Sequence, residues 1–420
     1  MKNVLKSSLF ALLFSLYSCG SQEGGELTGA LERPSWSPIN PYGMVYVPSG
    51  TLMVGPSDQD VNSTYVQRPK QISIQGFYMD ETEITNNEYR QFVEWVRDSI
   101  ARDLMGLKEQ DDDGNEFLDW RTKIDWEADE LDALYLADGD IYLGQKIMDV
   151  SQFNYRYKWF NWDKAAHAPR RGGDDKSQAK LKDFTEEETV NIYPDTLVWI
   201  RDFAYSYNEP MARQYFFHPA YDDYPVVGVS WAMAKAFTHW RTKLYLSAQE
   251  NSKAAINSED FRLPSEHEWE YAARGGHELA PYPWGGPYIR NAKGCLLANF
   301  KPGRGDYPED GGFYTVKADA YFPNDYGLYN MAGNVSEWTN SAFHENFYSF
   351  MSDLNPNYSV SADEEENIAN KRKVVRGGSW KDIHYFLQTG TRDWEYQDTT
   401  KSYIGFRCVL TFLGRSINDF

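Results

Sequence analysis

Cysteine is scarce in this chain of 420 residues, which contains only three: Cys19, Cys295 and Cys408. A fold that depends on disulfides needs several cysteines close together in the sequence, so a disulfide scaffold is excluded. Cys295 and Cys408 lie far apart in the sequence, which leaves open whether they pair with each other.

Basic residues are also in the minority, with 42 lysines and arginines against 62 aspartates and glutamates and a net charge of −20. Phosphate-rich partners attract positively charged surfaces, so this balance argues against binding to nucleic acid or to anionic lipid headgroups. A basic protein partner remains compatible with the composition.

Apolar runs long enough to cross a membrane are absent beyond residue 20. The one notable run, at residues 9–17, is short and follows Lys2 and Lys6. A permanent membrane-spanning helix needs about 20 apolar residues. The run is therefore interpreted as the core of a signal peptide at residues 1–18.

The segment around Cys19 has the form of a bacterial lipoprotein signal, with Leu16 and Ser18 before the cysteine and Gly20 after it. The thiol is the nucleophile suited to accept a diacylglyceryl group, and each buried lipid methylene contributes about 0.8 kcal/mol. The prediction is a protein anchored by a lipid on Cys19, with a flexible tether at residues 19–35. The alternative is an ordinary cleavage site beside an uninvolved cysteine.

Aromatic residues are abundant, with 14 Trp, 30 Tyr and 23 Phe, and they indicate a core packed with large rings. Two β-type runs on either side of residues 48–50 predict a hairpin at residues 44–55, and a further β-type run covers residues 71–79. A capping box from Thr85 to Glu88 predicts the start of a helix. Its inner face repeats at helical spacing: Tyr89, Phe92, Val93 and Val96.

From about residue 97 to residue 220 the regular pattern is lost, which we interpret as a long insertion whose own fold the sequence does not reveal. The apolar run within residues 223–231 predicts a buried strand. Ser230 is expected to cap a helix with its inner face at Phe237, Trp240 and Leu244. A second capping box, from Ser265 to Glu268, starts a helix whose inner face is Trp269, Ala272 and Ala273. These patterns predict an α+β fold with a few short helices.

The seven histidines show no His-Glu-x-x-His spacing, so zinc is set aside. His267, between Glu266 and Glu268, is interpreted as part of a solvated helix face. The chain also lacks a phosphate-binding loop and a Gly-x-Ser-x-Gly motif. Hard oxygen donors among Gly-rich turns form a weak cation candidate, because Asn and Asp in turns also satisfy their own backbone; they are Asn299, Asp310, Asn330 and Glu337.

Four motifs occur in order between residues 261 and 408: FRLPSEHEWEYAARGG, NMAGNVSEW, VRGGSW and GFRC. Through these motifs the chain resembles the formylglycine-generating, sulfatase-modifying factor family. The resemblance implies an α+β, formylglycine-generating-enzyme-like fold related to C-type lectins, with little regular secondary structure. This domain would cover residues 36–420, interrupted by the insertion at about residues 97–220.

Family members that make formylglycine use two cysteines after the Gly-Gly-Ser-aromatic motif to bind copper, because soft Cu(I) needs thiolate ligands. The matching positions here hold Asp382 and Leu387, so no copper is expected. Iron-dependent relatives that form sulfoxides need a histidine triad, which the histidines here do not offer. The resemblance therefore implies a pseudoenzyme with no catalytic residues.

The family also has two structural calcium sites. The resemblance maps the first onto Asn299, Phe300, Asp310 and Gly312, and the second onto Asn330, Gly333, Val335 and Glu337. Phe300, Gly312, Gly333 and Val335 would contribute backbone oxygens only. The alternative for the second set is a plain turn.

A closer likeness covers nearly the whole chain after residue 19, through stretches at residues 76–86, 193–200, 206–210 and 282–288. These stretches resemble the gliding-motility lipoproteins of the GldK/PorK family in the type IX secretion system. The resemblance implies a lipid-anchored protein on the periplasmic face of the outer membrane. It would self-associate into a ring and bind a GldN/PorN-type periplasmic ring protein.

Two other functions stay open. One is a formylglycine-generating-type oxidase or sulfatase activator that uses a different residue set. The other is a lectin-like binder of glycan or peptidoglycan, for which exposed Trp and Tyr would serve as stacking surfaces.

Overall fold

The structure, a computed structural model, describes most of the chain between residues 40 and 414. The described ranges are 40–55, 69–110, 116–136, 146–168, 181–203, 211–250, 259–303, 306–309, 312–360 and 368–414, together with residue 114. The predicted signal peptide, Cys19 and the tether lie outside these ranges. Within them, no helix is both long and apolar enough to cross a bilayer.

Short strands provide the β part of the fold. In the described ranges they are β1 (Met44–Val47), β2 (Gly50–Val54), β3 (Lys70–Ile74), β4 (Phe77–Asp80), β5 (Lys108–Gln110), β6 (Glu116–Leu118), β7 (Asn154–Phe160), β8 (Thr185–Asn191), β9 (Ser336–Ala342), β10 (Arg372–Arg376), β11 (Asp393–Tyr396), β12 (Ile404–Gly405) and β13 (Val409–Thr411). One sheet has the order β1-β4-β13 and a second has the order β11-β10-β9-β12. Pairing is antiparallel except between β12 and β9. Three further pairs are β2-β3, β5-β6 and β7-β8.

The first four strands form one bent ribbon rather than the predicted hairpin at residues 44–55. β1 pairs with β4, and β2 pairs with β3. β1 and β2 were therefore predicted correctly as strands, but the prediction that they pair with each other was wrong. The bend between β1 and β2 lies beside the bend between β3 and β4, since a Cβ on Gly76 would lie 3.3 Å from the backbone nitrogen of Ser49. The residues at 48–50 therefore bend a long strand instead of reversing it.

The helices are few and mostly short. In the described ranges they are α1 (Asn86–Leu104), α2 (Trp162–His167), α3 (Val198–Asp202), α4 (Met211–Gln214), α5 (Trp231–Glu250), α6 (Glu266–Arg274) and α7 (Phe347–Phe350). Short 3₁₀ helices lie at Asp129–Leu134, Val150–Gln152, Leu181–Phe184, Pro219–Tyr221 and Ile368–Lys371.

Both predicted capping boxes are confirmed. The Thr85 hydroxyl accepts a hydrogen bond from the backbone nitrogen of Glu88 at the start of α1, and Ser265 does the same for Glu268 at the start of α6. The predicted inner faces of both helices are buried. These local patterns were reliable because a capping box satisfies backbone N–H groups within four residues.

The predicted inner face of α5 is correct only in its first half. Phe237 and Trp240 are buried, but Leu244 is 48% exposed, so its predicted place in the core was wrong. At that level the core side of α5 is taken by Thr242, whose hydroxyl accepts a hydrogen bond from the backbone nitrogen of Phe261 at 2.9 Å. Tyr245 packs on the ring of the same Phe261.

Residues 225–231 are largely buried, as predicted, but they do not form the predicted strand. Val226 donates a backbone hydrogen bond to Ile84 and Gly228 donates one to Lys401, so the partners lie on separate segments. Gly228 has a φ of +75°, and a Cβ there would lie 2.4 Å from the carbonyl oxygen of Asp195. A left-handed glycine of this kind interrupts an extended run.

The described part of residues 97–220 shares the core of the surrounding domain. α1 continues past residue 97 to Leu104. The Tyr155 ring on β7 packs edge-on against Phe92 of α1, with centroids 5.2 Å apart. Tyr157 stacks on His239 of α5 at 4.5 Å. This packing explains why residues 97–220 show no regular hydrophobic pattern of their own, because their apolar side chains pack against α1 and α5.

Candidate functional site

The FRLPSEHEWEYAARGG motif forms α6 and the turn that ends it. Gly275 has a left-handed conformation, with φ of 58°, and closes the helix. Trp269 and Ala273 face the apolar core, but Glu266 and Glu270 on the same helix are also fully buried. Buried carboxylates need partners, so these glutamates mark a polar network in the interior.

Arginines pair with both glutamates. Glu266 accepts hydrogen bonds from Arg392 at 2.6 and 3.1 Å, and Glu270 accepts from Arg274 at 2.7 Å and from Arg376 at 3.0 Å. Burial raises the pKa of each glutamate, but the facing guanidinium groups bring both pKa values below the ordinary value. Both glutamates are therefore ionised at neutral pH.

His267 is fully buried beside this network, so the predicted solvated helix face was wrong. Its ring stacks on Phe347 of α7 with centroids 5.6 Å apart and lies 5.5 Å from the ring of Tyr348. Burial lowers the pKa of His267, which favours the neutral imidazole. The prediction failed because the rings that cover the histidine come from a distant part of the sequence.

The NMAGNVSEW motif contributes a second buried ion pair. Glu337 on β9 accepts hydrogen bonds from Nε and Nη2 of Arg407, each at 2.7 Å, and from the indole of Trp269 at 2.8 Å. Arg407 belongs to the GFRC motif and also donates to the carbonyl oxygens of Asp80 and Tyr329. Three of the four motifs are thus joined inside the protein by Glu337, Arg407 and Trp269.

The VRGGSW motif forms a tight turn against Asp382 and Leu387, the two positions that the family resemblance matched to copper ligands. A Cβ on Gly378, which has φ of +66°, would come within 2.8 Å of the Phe386 backbone. Asp382 accepts hydrogen bonds from the backbone nitrogen and the hydroxyl of Ser379, at 3.0 and 2.5 Å. Burial raises the pKa of Asp382. The cavity beside Asp382 is about 10 Å³, enough for one water molecule.

Leu387 completes an apolar cluster at this turn, where it is fully buried against Tyr282, Leu296 and Phe300. The two free thiols described lie elsewhere: Cys408 is buried and Cys295 is exposed, and they do not pair. Burial raises the pKa of the Cys408 thiol well above its ordinary value, so it stays protonated. A carboxylate and an alkyl side chain cannot replace the two thiolates that Cu(I) needs.

The first predicted calcium set is only partly described, because Asp310 lies outside the described residues. The Asn299 side chain touches Gly312, where a Cβ would lie 2.5 Å from Oδ1 of Asn299. Phe300 is buried in the apolar cluster with Leu387. The carbonyl oxygen of Asn299 lies against Gly333, so the structure brings the two predicted sets into contact.

The second predicted set is buried and already hydrogen-bonded within the protein. Asn330 donates its amide to Glu83 at 3.1 Å and to the Ala318 carbonyl at 2.9 Å. Burial raises the pKa of Glu83 to about 8. Glu337 is the one carboxylate of the set, and both of its oxygens accept from Arg407.

This arrangement fits a calcium ion poorly, since calcium needs six to eight oxygens and a guanidinium group competes for the same carboxylate. Calcium binding at either set stays a prediction. Among the residues that the structure describes, no group of three or more His, Cys, Asp or Glu is placed to hold a metal ion.

The network of two glutamates and three arginines was missed from the sequence. The sequence does contain one indication of it: Glu266, Glu270 and Arg274 follow one another at intervals of four residues, which places them on one face of the helix. Arg376 and Arg392 carried no such signal, because they reach the helix from β10 and from the loop before β11.

Comparison with known proteins agrees with this geometry. The family model described as "Sulfatase-modifying factor enzyme 1-like domain" matches residues 33–412, so the chain belongs to that family. The predicted formylglycine-generating-enzyme-like α+β fold is confirmed by this match.

The individual relatives have modest sequence identity to this chain. The chain is 26% identical to the formylglycine-generating enzyme of Bos taurus over 389 residues, which cover 90% of this chain and 78% of the relative. It is 34% identical to the inactive Cα-formylglycine-generating enzyme 2 of Bos taurus over 194 residues, or 44% of this chain and 50% of the relative. Among solved structures, PvdO from Pseudomonas aeruginosa has a TM-score of 0.46 and 18% identity over 88% of this chain and 94% of its own.

Proposed function

We propose that this chain is a non-catalytic member of its family, a structural ring subunit of the type IX protein secretion and gliding-motility machinery of the GldK/PorK kind. The observation that carries the non-catalytic part is the turn after VRGGSW. There Asp382 is tied to Ser379 and Leu387 is buried among apolar side chains, where formylglycine-forming relatives need two copper-binding thiolates. The existence of a relative named as an inactive enzyme supports this proposal.

The remaining motif residues support a structural role. Four of these side chains are fully buried and form hydrogen bonds with other protein groups: Glu266, Glu270, Glu337 and Arg407. Catalytic groups need access to a substrate, and these side chains have none. In this proposal the motifs hold the domain rigid so that its surface can bind other subunits.

Attachment to the outer membrane belongs to the same proposal and rests on the sequence around Cys19. A lipid on this residue would hold the domain on the periplasmic face, with residues 19–35 as the tether. The domain would self-associate into a ring and bind a GldN/PorN-type periplasmic partner. The net charge of −20 favours a basic surface on that partner.

The first test is the metal content of the purified protein. We expect no copper after purification without chelators, because Asp382 and Leu387 supply no thiolate. The calcium content of the same sample tests separately whether either predicted set is loaded, although the described donors fit a calcium ion poorly. Elemental analysis by mass spectrometry measures both metals in one sample.

The outcomes of this test are separable. Stoichiometric copper, or conversion of a cysteine peptide to formylglycine, would contradict the non-catalytic assignment and favour the oxidase. Absence of calcium would remove the calcium proposal alone and leave the assignment of the fold and the ring intact.

The second test is complementation of a deletion strain. We expect deletion to abolish secretion of proteins with the type IX C-terminal signal, and the wild-type gene to restore it. The Cys19→Ala variant is expected to leave the membrane fraction when its partners are also absent, because it cannot be lipidated. Immunoblots of culture supernatant and of membrane fractions measure the two effects.

A Cys295→Ala variant is the matched control, since Cys295 is an exposed free thiol in the described domain. It should fractionate and secrete as the wild type does. Normal secretion by the deletion strain would refute the proposed function, and retention of Cys19→Ala in membranes without partners would refute the anchor.

A further inference from the structure

Among the described residues β2 pairs with β3 alone, so its other edge has no neighbouring strand. Thr51 of β2 lies opposite Ser73 of β3. The N–H of Ser73 donates to Asp353 at 2.8 Å and its C=O accepts from Asn355 at 2.9 Å, so both groups point away from β2. Opposite residues of an antiparallel pair either exchange both hydrogen bonds or both point outwards. The backbone groups of Thr51, and of Met53 two residues later, therefore point to the outer edge of β2.

Side chains of α6 satisfy this outer edge at Gly55. The backbone N–H of Gly55 donates to Glu270 at 3.2 Å, and its C=O accepts from Arg274 at 2.9 Å. The backbone groups of Thr51 and Met53 on the same edge have no hydrogen-bond partner among the described residues. Free N–H and C=O groups in a row pair readily with another chain, so proteins usually cover or shorten such an edge.

The free part of the edge opens onto a cleft of about 320 Å³. Ligand sites usually occupy roughly 300–1,000 Å³, so the cleft has the size of a small binding site. β2 forms one wall with Thr51 and Met53, and the turn after α6 contributes His277 and Glu278. Thr51 and Glu278 are exposed and Met53 is partly exposed, so a ligand can reach the edge from solvent.

The charge around this cleft is negative. Glu278 is exposed and forms no ion pair with the described residues, whereas Arg274 is balanced by Glu270 at 2.7 Å. The ring of His277 lies 3.0 Å from Asp325, which brings a second carboxylate next to this lining residue. The cleft also lies at the carboxyl end of α6, which carries partial negative charge. These groups favour a positively charged ligand.

We propose that β2 binds an extended peptide segment of another protein by strand addition, with a lysine or arginine of that segment facing Glu278. The N–H and C=O groups of Thr51 and Met53 would bond to alternate residues of the segment, because successive residues of a strand point to opposite sides. A saccharide could bond to the polar side chains of the cleft, but a peptide also satisfies this row of backbone groups. The proposal does not depend on the secretion role.

The test is fluorescence polarisation with the purified full-length protein and a labelled hexapeptide of alternating valine and lysine with blocked ends. We expect saturable binding that weakens as salt is raised, because salt screens the attraction between lysine and an exposed carboxylate. Absence of saturable binding would overturn the proposal.

Two further peptides carry N-methyl groups, one on every valine and the other on every lysine. An added strand uses the N–H groups of alternate residues, so one of these peptides should lose binding and the other should keep it. This comparison needs no variant of the protein. Equal binding of the two methylated peptides, whether kept or lost, would overturn strand addition.

Glu278→Lys places a like charge in the cleft and should weaken binding of the unmethylated peptide about fivefold or more. Glu127→Lys is the matched control, because Glu127 is also an exposed glutamate but lies in the loop before the 3₁₀ helix Asp129–Leu134. It should bind the peptide as the wild type does. If the two variants weakened binding equally, net charge alone would attract the peptide and the cleft would not be its site.

Chitotetraose is the saccharide probe in the same assay. The proposal expects it to leave the labelled peptide bound, and displacement of the peptide by chitotetraose would assign the cleft to saccharides instead. Failure of strand addition leaves the secretion role untouched, because the deletion strain tests that role separately.

Discussion

Replacing Arg407 with methionine is expected to lower the free energy of unfolding by about 3–5 kcal/mol, among the largest effects for any single change in this domain. Arg407 donates two hydrogen bonds to Glu337, and both side chains are fully buried. Among the described residues, the variant would leave the buried Glu337 carboxylate with only the Trp269 indole as a donor. Urea unfolding followed by tryptophan fluorescence measures the change.

Two further variants decide whether burial of the charge is the cause. Arg407→Met combined with Glu337→Gln removes both charges and should recover a large part of the loss, because the uncompensated carboxylate is gone. Lys317→Met breaks the pair between Lys317 and Asp223, whose side chains are 54% and 67% exposed, and should leave the free energy of unfolding nearly unchanged because solvent screens this pair. If Arg407→Met were as mild as Lys317→Met, the buried pair would not hold the motifs together.

Gly333→Ala is expected to destabilise the domain by about 2–5 kcal/mol, because two penalties add at this position. Gly333 has a φ of +82°, which an alanine adopts with difficulty, and its Cβ would lie 2.4 Å from the carbonyl oxygen of Asn299. That oxygen also accepts a hydrogen bond from the backbone nitrogen of Asn334 at 2.8 Å. The Asn299 segment would have to move, and the contact between the two predicted calcium sets would open. Urea unfolding measures the loss.

Gly294→Ala separates the two penalties. Gly294 has a similar φ of +89°, but a Cβ there meets nothing within 4 Å. The variant should therefore show the conformational penalty alone, roughly 1–2 kcal/mol. If Gly333→Ala and Gly294→Ala lowered the free energy of unfolding equally, the close approach to Asn299 would contribute nothing to the destabilisation.

Features encoded within a few residues could be predicted from the sequence. Both capping boxes, at Thr85 and Ser265, were correct because the donor and acceptor lie within one helical turn. The inner face of α1 was also correct, since four apolar residues at helical spacing leave one orientation against a core.

Features decided by distant segments could not be predicted in this way. β1 and β2 were identified as strands, but their partners depend on a bend shared with Gly76. His267 was placed on a solvated face because the rings of α7 that cover it lie far along the chain. Leu244 was placed in the core because Thr242 and Phe261 had no visible relationship in the sequence.

The candidate site also contains features that could be predicted from the sequence and features that could not. The prediction that Asp382 and Leu387 stand in place of two copper-binding cysteines came from the motif alone and stays a prediction. The partner of Glu337 was not, because no periodicity connects it with Arg407, and a carboxylate beside Asn330 and Gly333 was read as a calcium ligand. The structure gives this carboxylate a guanidinium partner, and calcium binding there stays a prediction.

The sheet β1-β4-β13 has a consequence for the order of folding. Its central strand β4 lies near the start of the domain, while β13, which pairs with it, ends at Thr411. Contacts over such a sequence separation form late, because the chain must first close a very large loop. During synthesis, the domain therefore reaches its final sheet only after the chain up to Thr411 has emerged. Until then one edge of β4 stays open to a chaperone or to a wrong strand.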